Sequence, residues 1–347
     1  TGIGSQVFNA LGKWMGRIPG RLSILAVGSG TLFAILCGSS VATTSLLGSL
    51  LVPEMDKHKY KPAMSIGPIT GSAGLAILIP PTALGVLMAT LAGVPVGTFL
   101  IAIVIPGIVL AVILALYIII RCSINPELAP KYEVQTYSMK EKLTDFFKYI
   151  FPLGFIVFLV LGVIILGVAT PTQSAVLGAV GTTILAIAYR KFSWKLLWES
   201  LTGTARMTVM ILMIMVGSAT FSQILSFTGV TQGLVQTVTS LDLSPIMLII
   251  LIQLVLIILG CFLEPMSIMM MTLPVVMPIV GAMGIDPIWF CVIFLINMQM
   301  ATMTPPFGMD LFAIKAAAPQ YKMGQIYRAI TPFILLNLLL ITLIIAF

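Results

Sequence analysis

Apolar runs too long for one face of a soluble helix recur from end to end of this chain. Uninterrupted spans of about 20 residues, the length that crosses a bilayer, are predicted at about 97–120, 149–168, 172–189, 204–226 and 326–347. Between them lie apolar stretches that are punctuated. Arms at 22–37 and 41–55 flank Gly38-Ser39-Ser40, and arms at 244–262 and 266–280 flank Leu263-Glu264-Pro265. An arm of about 15 residues makes roughly 22 Å of helix, too short to span comfortably. The first pair has Arg17 and Arg21 before it and Lys57, Lys59 and Lys61 after it, so both ends belong on one side. Such a segment is a re-entrant hairpin, about 22–55, and its counterpart is about 244–280. Two further stretches are broken helices: 63–91, interrupted by Gly71, Gly74 and Pro80-Pro81, and 288–318, interrupted by Thr304-Pro305-Pro306.

Residues 1–21 read as a helix end with a connection. The stretch 121–148 gathers Glu127, Lys131, Glu133, Lys140, Glu141, Lys142, Asp145 and Lys148, and reads as an aqueous linker with an amphipathic helix. It divides the chain into a first half, 1–120, and a second half, 149–347.

Composition turns these patterns into a solvent argument. Of 347 residues 59% are hydrophobic and 8% charged, against about 25% charged in soluble domains. Lipid is the solvent for much of this surface. The net charge of +7 sits in short clusters between apolar runs, where it orients membrane helices, so nucleic acid is not an expected partner. Cys37, Cys122, Cys261 and Cys291 show no paired spacing, and His58 stands among lysines, so neither a disulfide framework nor a transition-metal site is expected.

The punctuation repeats. The shift that carries Pro53 onto Pro278 also carries Pro62, Pro80 and Pro81 onto Pro287, Pro305 and Pro306, and Ser39-Ser40 onto Glu264-Pro265. Near the start, Thr1-Gly2-Ile3 resembles Thr228-Gly229-Val230 at a nearly equal shift. Basic flanks surround the first hairpin, whereas the second has Asp242 and Asp286 and no Lys or Arg, which predicts opposite orientations. Hairpin then broken helix, repeated upside-down, is the design of alternating-access secondary transporters. By the same symmetry, two or three helices are expected ahead of Thr1.

Interrupted helices leave backbone groups unpaired at mid-membrane depth, which is costly unless they line a cavity or bind something. Freed carbonyls suit Na⁺, and half-helix N-termini suit a carboxylate. The candidates for Na⁺ are Gly38, Ser39, Ser40, Pro80 and Thr82 in one half, and Glu264, Pro265, Thr302, Thr304 and Pro305 in the other. The candidates for substrate are Ser40, Thr43, Ser72, Ser267, Asn297 and Asp310. Each has a plainer role open to it. The hydroxyls can bond back to their own helices, Glu264 can cap the arm that follows, Asp310 can pair with Lys315, and Arg206 can snorkel. Met269, Met270, Met271, Met298, Met300 and Met303 read as flexible packing at a moving interface.

The stretches 38-GSSVATTSLLGSLLVPEM-55, 67-GPITGSAGLAILIPPT-82, 169-ATPTQSAVLGA-179, 262-FLEPMSIMMMTLPVVMPI-279 and 297-NMQMATMTPPFGMDLF-312 resemble the large membrane subunit of tripartite ATP-independent periplasmic (TRAP) transporters. The resemblance runs the length of the chain in the right order. It implies an all-α polytopic protein of the bacterial inner membrane and a Na⁺-driven importer of elevator type, in which a block carrying both hairpins slides against a scaffold. It also implies a small membrane subunit, separate or fused, and a periplasmic binding protein that delivers an organic acid. Carried over by position, Ser39, Ser40 and the first proline break serve one Na⁺, and the second hairpin tip with Thr304 serves another. Many relatives have an acidic residue where this chain has Thr43, and Asp where it has Glu264, which leaves the substrate open. A proton-coupled dicarboxylate carrier, with Glu264 or Asp310 carrying the proton, is the alternative within transport. An intramembrane aspartyl protease needs two adjacent carboxylates, and no GxGD-type motif is present. A passive channel would conduct rather than saturate.

Overall fold

The computed structural model describes all residues except 1, 2, 17, 131, 133–136, 242 and 347, and all of their side chains except those of 3–5 and 34–36. The flanking Arg17 and Asp242, the loop charges Lys131 and Glu133, and Thr1-Gly2 of the repeat lie outside the described residues. Every regular element among the described residues is helical.

The first half comprises α1 (Ile3–Trp14), the arms α2 (Arg21–Cys37) and α3 (Ser40–Lys57), the broken helix α4 (Pro62–Ala73), α5 (Leu75–Leu78) and α6 (Ala83–Ala92), and the span α7 (Val96–Ile124). Next come α8 (Met139–Ile165), α9 (Pro171–Ala188) and α10 (Trp194–Phe227). The second half has α11 (Val230–Ser240), the arms α12 (Pro245–Gly260) and α13 (Pro265–Ala282), the broken helix α14 (Pro287–Ala301) and α15 (Met309–Ala317), and α16 (Met323–Ala346). Six helices are long and apolar enough to cross a membrane, or up to seven if α4–α5 and α6, bent by 45°, count as one.

Local chemistry sets the ends. Ser39 caps α3 by accepting from the Ala42 N–H, and Asp286 caps α14 by accepting from Trp289 at 2.7 Å. Pro62, Pro265 and Pro287 each open a helix, where a missing N–H costs nothing. Two boundaries differ from those expected. The amphipathic helix expected in the linker starts at Met139, where Ser138 and Glu141 form a capping box, but it does not end before the span: the rod continues through two π-helical turns, 146–150 and 158–162. The helix expected at 204–226 starts at Trp194, because Ser193 caps it there and its charged first turns remain helical.

The shift that relates the prolines also relates the helices. It carries α3 onto α13 end for end, α4 onto the start of α14, and α6 onto α15 within a residue. The packing is reciprocal. First arms lie on the broken helix of their own half, α2 on α4 and α12 on α14. Second arms lie on the other half, α3 on α15 and α13 on α6. Gly74 and Gln299, equivalent under the shift, touch each other: a Cβ on Gly74 would sit 2.7 Å from Gln299 Cγ. Contacts that return to their own equivalents are the mark of a two-fold relation.

Two tight features hold this block. Gly67 and Gly71 of α4 let α16 approach until Phe333 fills the space, and Phe333 meets the edge of Tyr117 at 5.5 Å. A Cβ at Gly67 would lie 2.4 Å from that ring and 2.7 Å from the Ala329 carbonyl oxygen. Gly67→Ala is therefore expected to cost about 1–3 kcal/mol by overpacking, read as a lower melting temperature of the purified protein. At the mouth of the α2–α3 pair, Arg21 donates to the carbonyls of Met15 (2.8 Å) and Gly12 (2.6 Å) and to the Tyr132 hydroxyl (3.0 Å). Tyr132 stacks on His58 at 3.7 Å, and Lys13 pairs with Asp145 at 2.6 Å. Together these fasten α1 and the chain after α7 to that mouth.

Candidate functional site

Each pair of arms brings its tip to the break of its own half. Gly38 turns the first tip with φ +60°, a conformation that glycine tolerates, and its Cβ position faces the Pro81 carbonyl at 3.9 Å. At the second tip the Phe307 N–H donates to the Cys261 carbonyl at 3.3 Å. The predicted Gly38-Ser39-Ser40 therefore meets Pro80-Pro81-Thr82, and the turn before Glu264-Pro265 meets Thr304-Pro305-Pro306. Both Pro-Pro bonds are cis. Thr82 caps α6 by accepting from Gly85 N–H at 3.4 Å and is buried. Beside Pro81 and Thr82 an apolar cavity of about 400 Å³ opens toward Val160, Ile164 and Gly178 of α8 and α9.

The second break is tighter. Gly308 N–H donates to Thr304 O at 3.1 Å, and Asp310 N–H to Thr302 O at 2.9 Å. The Thr302 and Thr304 hydroxyls donate to the carbonyls of Gln299 (2.8 Å) and Met300 (2.7 Å). A Cβ on Gly308 would lie 2.6 Å from the Thr302 oxygen and 2.9 Å from the Thr304 nitrogen, so only glycine fits.

Asp310, the second residue of α15, is fully buried. Its carboxylate lies within reach of the side chains of Thr302 and Ser40, yet neither oxygen has a hydrogen bond of good geometry. Lys315 donates to the carbonyls of Pro319 and Tyr321, both at 2.7 Å, and so does not pair with it. Ser40 opens α3, and Gly48, two turns on, packs against Ile314 and Ala317 of α15. Thr44 lies between them on that face. It is buried, and its hydroxyl has no partner. Three buried oxygens without a well-formed hydrogen bond, two of them on one carboxylate, thus lie where the halves join. The first turns of α3 and α15 meet here, and their N–H groups favour negative charge.

The other candidates are placed differently. Thr43 bonds back to Ser39 O at 2.9 Å. Ser72 donates to Ala26 O at 3.2 Å, and its repeat equivalent Asn297 donates to Gln253 O at 3.0 Å and to Gln253 Oε1 at 2.8 Å. Both therefore tie a broken helix to the first arm of its own half. Pro265 is buried; Glu264, at the cap position of α13, makes no capping bond and is exposed, as is Ser267. Sequence reasoning passed over Thr44 and Gly308. The four-residue step from Ser40 to Thr44 was the available signal for one, and the glycine just after Pro305-Pro306 for the other.

Over residues 1–347 the sequence matches the family described as "Tripartite ATP-independent periplasmic transporter, DctM component". The chain belongs to this family. It is 33% identical over 346 residues to the C4-dicarboxylate TRAP transporter large permease protein DctM of Pseudomonas aeruginosa, covering 99% of this chain and 79% of that protein. It is 26% identical to the isethionate TRAP transporter permease protein DctMQ of Oleidesulfovibrio alaskensis, covering 98% of this chain and 53% of that one. The ectoine/5-hydroxyectoine large permease UehC of Ruegeria pomeroyi is 27% identical, covering 96% of this chain and 77% of that relative. Among solved structures the YdaH transporter of Alcanivorax borkumensis aligns with a TM-score of 0.66 at 15% identity, covering 99% of this chain and 82% of that one, a likeness of fold. A TRAP permease with six or more apolar helices is a multi-pass protein of the bacterial inner membrane.

Proposed function

We propose that this TRAP permease imports a small organic acid by Na⁺-coupled alternating access of elevator type, receiving it from a periplasmic binding protein and working with a small membrane subunit. Relatives are named for C4-dicarboxylate, isethionate and ectoine, so an organic acid, with C4-dicarboxylates tested first, is the substrate class. The observation that carries the coupling is the fully buried Asp310 carboxylate without a well-formed hydrogen bond, at the point where Ser40 of one half meets Thr302 of the other. An unpaired buried carboxylate is expensive, and a hard cation seated among hydroxyl and carbonyl oxygens relieves that cost.

Orientation follows from charge and chain path. Lys57, Lys59 and Lys61 support a cytoplasmic mouth for the first arms. A bent crossing and four spans (α7 to α10) separate that mouth from α12, which puts the second mouth on the periplasmic face. The two halves are then inverted, and the block built from both arm pairs slides against α8–α10. The outward faces of α9 and α10 carry Val176, Leu212, Met213 and Val216, all exposed, and suit the small subunit and lipid.

Proteoliposomes holding the permease with its small subunit and binding protein provide the test. Uptake should follow an imposed Na⁺ gradient at constant pH. Ser40→Ala and Thr304→Ala should each raise the Na⁺ concentration for half-maximal uptake about 3- to 10-fold, the worth of one oxygen contact, without preventing membrane insertion. Unchanged Na⁺ dependence in both would remove them from the ion sites. Proton coupling is the second reading. Its carrier would be Asp310 rather than the exposed Glu264, and uptake driven by a pH gradient without Na⁺ would select it.

A further inference from the structure

At about 50 Å, α10 is longer than the bilayer core, and nearly all of its side chains are exposed. Ser218 is the exception at 7% exposure, with Ile211, Met215, Ser222 and Leu225 partly buried around it on the face that meets α13. In α13, Pro274 has no N–H to give the Met270 carbonyl four residues earlier, so that oxygen has lost its helical partner. The Ser218 hydroxyl supplies the missing bond at 2.9 Å. The same fault occurs in α4, where Pro68 frees the Met64 carbonyl, and there Ser23 of α2 makes the repair from inside the block. Ser218 makes its repair from outside. Among the described residues, no other α10 side chain hydrogen-bonds beyond its own helix. Among the described residues the rest of that face makes no hydrogen bond to α13, so it has no fixed partners to lose when it slides.

We infer that Ser218 is a positioning residue of the transport cycle: it latches α13 in one end position by completing a helix that proline has left open, and it must let go whenever α13 moves. The inference rests on the reading that the arm pairs slide as a block against α10. Release leaves a carbonyl unpaired in an apolar setting, so the latch biases the block toward the position in which the bond is made.

The test replaces Cys37, Cys122, Cys261 and Cys291 by alanine and introduces Leu263→Cys at the second tip, in the permease reconstituted with its small subunit. The labelling rate by an impermeant maleimide then reports the position of the block. Ser218→Ala should change that rate about 2- to 10-fold, the weight of one hydrogen bond, and Ser218→Thr should restore it. In a Pro274→Ala background the helix satisfies its own carbonyl, and Ser218→Ala should then change nothing. A silent Ser218→Ala, or an equal effect in both backgrounds, overturns the latch while leaving the sliding block intact. Labelling of the parent that ignores every imposed gradient of Na⁺ or protons overturns the sliding block, and the latch with it.

Discussion

Asp310→Asn is expected to reduce gradient-driven uptake by at least ~100-fold while leaving the melting temperature unchanged or higher. The change is nearly isosteric, so α15 and its contacts with α3 stay as they are. What disappears is an ionisable carboxyl group held at zero exposure without a well-formed hydrogen bond. Isolating a charge from water costs several kcal/mol after relaxation, and a neutral amide avoids most of that cost. A residue kept only for structure would show the opposite pattern, with stability lost along with activity. Opposed movement of uptake and stability is the signature of a site that trades one for the other. Uptake near that of the parent would end the assignment of Asp310, and a lower melting temperature would recast it as structural.

Gly308→Ala is expected to abolish transport in protein that still inserts. Its Cβ would lie within 3.0 Å of three backbone atoms, Thr302 O, Thr304 N and Met303 C. None of these is the flexible end of a side chain, so the turn itself must open. Opening it separates the Asp310 N–H from Thr302 O and the Gly308 N–H from Thr304 O, and it moves the carboxylate away from Ser40. Gly93, by contrast, has nothing within 4 Å of its Cβ position. Its positive φ makes Gly93→Ala a strained but local change, so this variant separates general damage from damage to the second break. Equal loss of uptake in both variants, measured in the same proteoliposomes, would defeat the argument.

Much of this architecture was readable because proline and glycine punctuate it. The arms, the tips and both Pro-Pro breaks lie where the sequence places them, since interrupted backbone must be satisfied locally by caps such as Ser39 and Thr82, although α13, expected to be too short to cross, has 18 residues and is long and apolar enough to do so. Hydropathy alone failed where caps override it. Ser138-x-x-Glu141 starts α8 inside a charged stretch, and Ser193 starts α10 well before its apolar run. The site was partly legible. Ser40, Thr302 and Asp310 come together, but only reciprocal packing of the halves could reveal that, because Ser40 and Asp310 lie near opposite ends of the chain. Ser72 and Asn297 carry the right chemistry and use it within their own half. Thr44 was invisible for the opposite reason: its hydroxyl looks ordinary in an apolar run until α15 covers it.

The shift that carries Pro80 onto Pro305 also carries Gly85 onto Asp310. Gly85 is buried with its Cβ position 2.6 Å from Thr82 Cγ2 and has no room for an acid. Two halves matched in helix order thus differ at this position by a carboxyl group, as they do at Ser39 and Glu264 and at Lys61 and Asp286. Turning the molecule end for end would therefore exchange the shapes of the two breaks but not their chemistry.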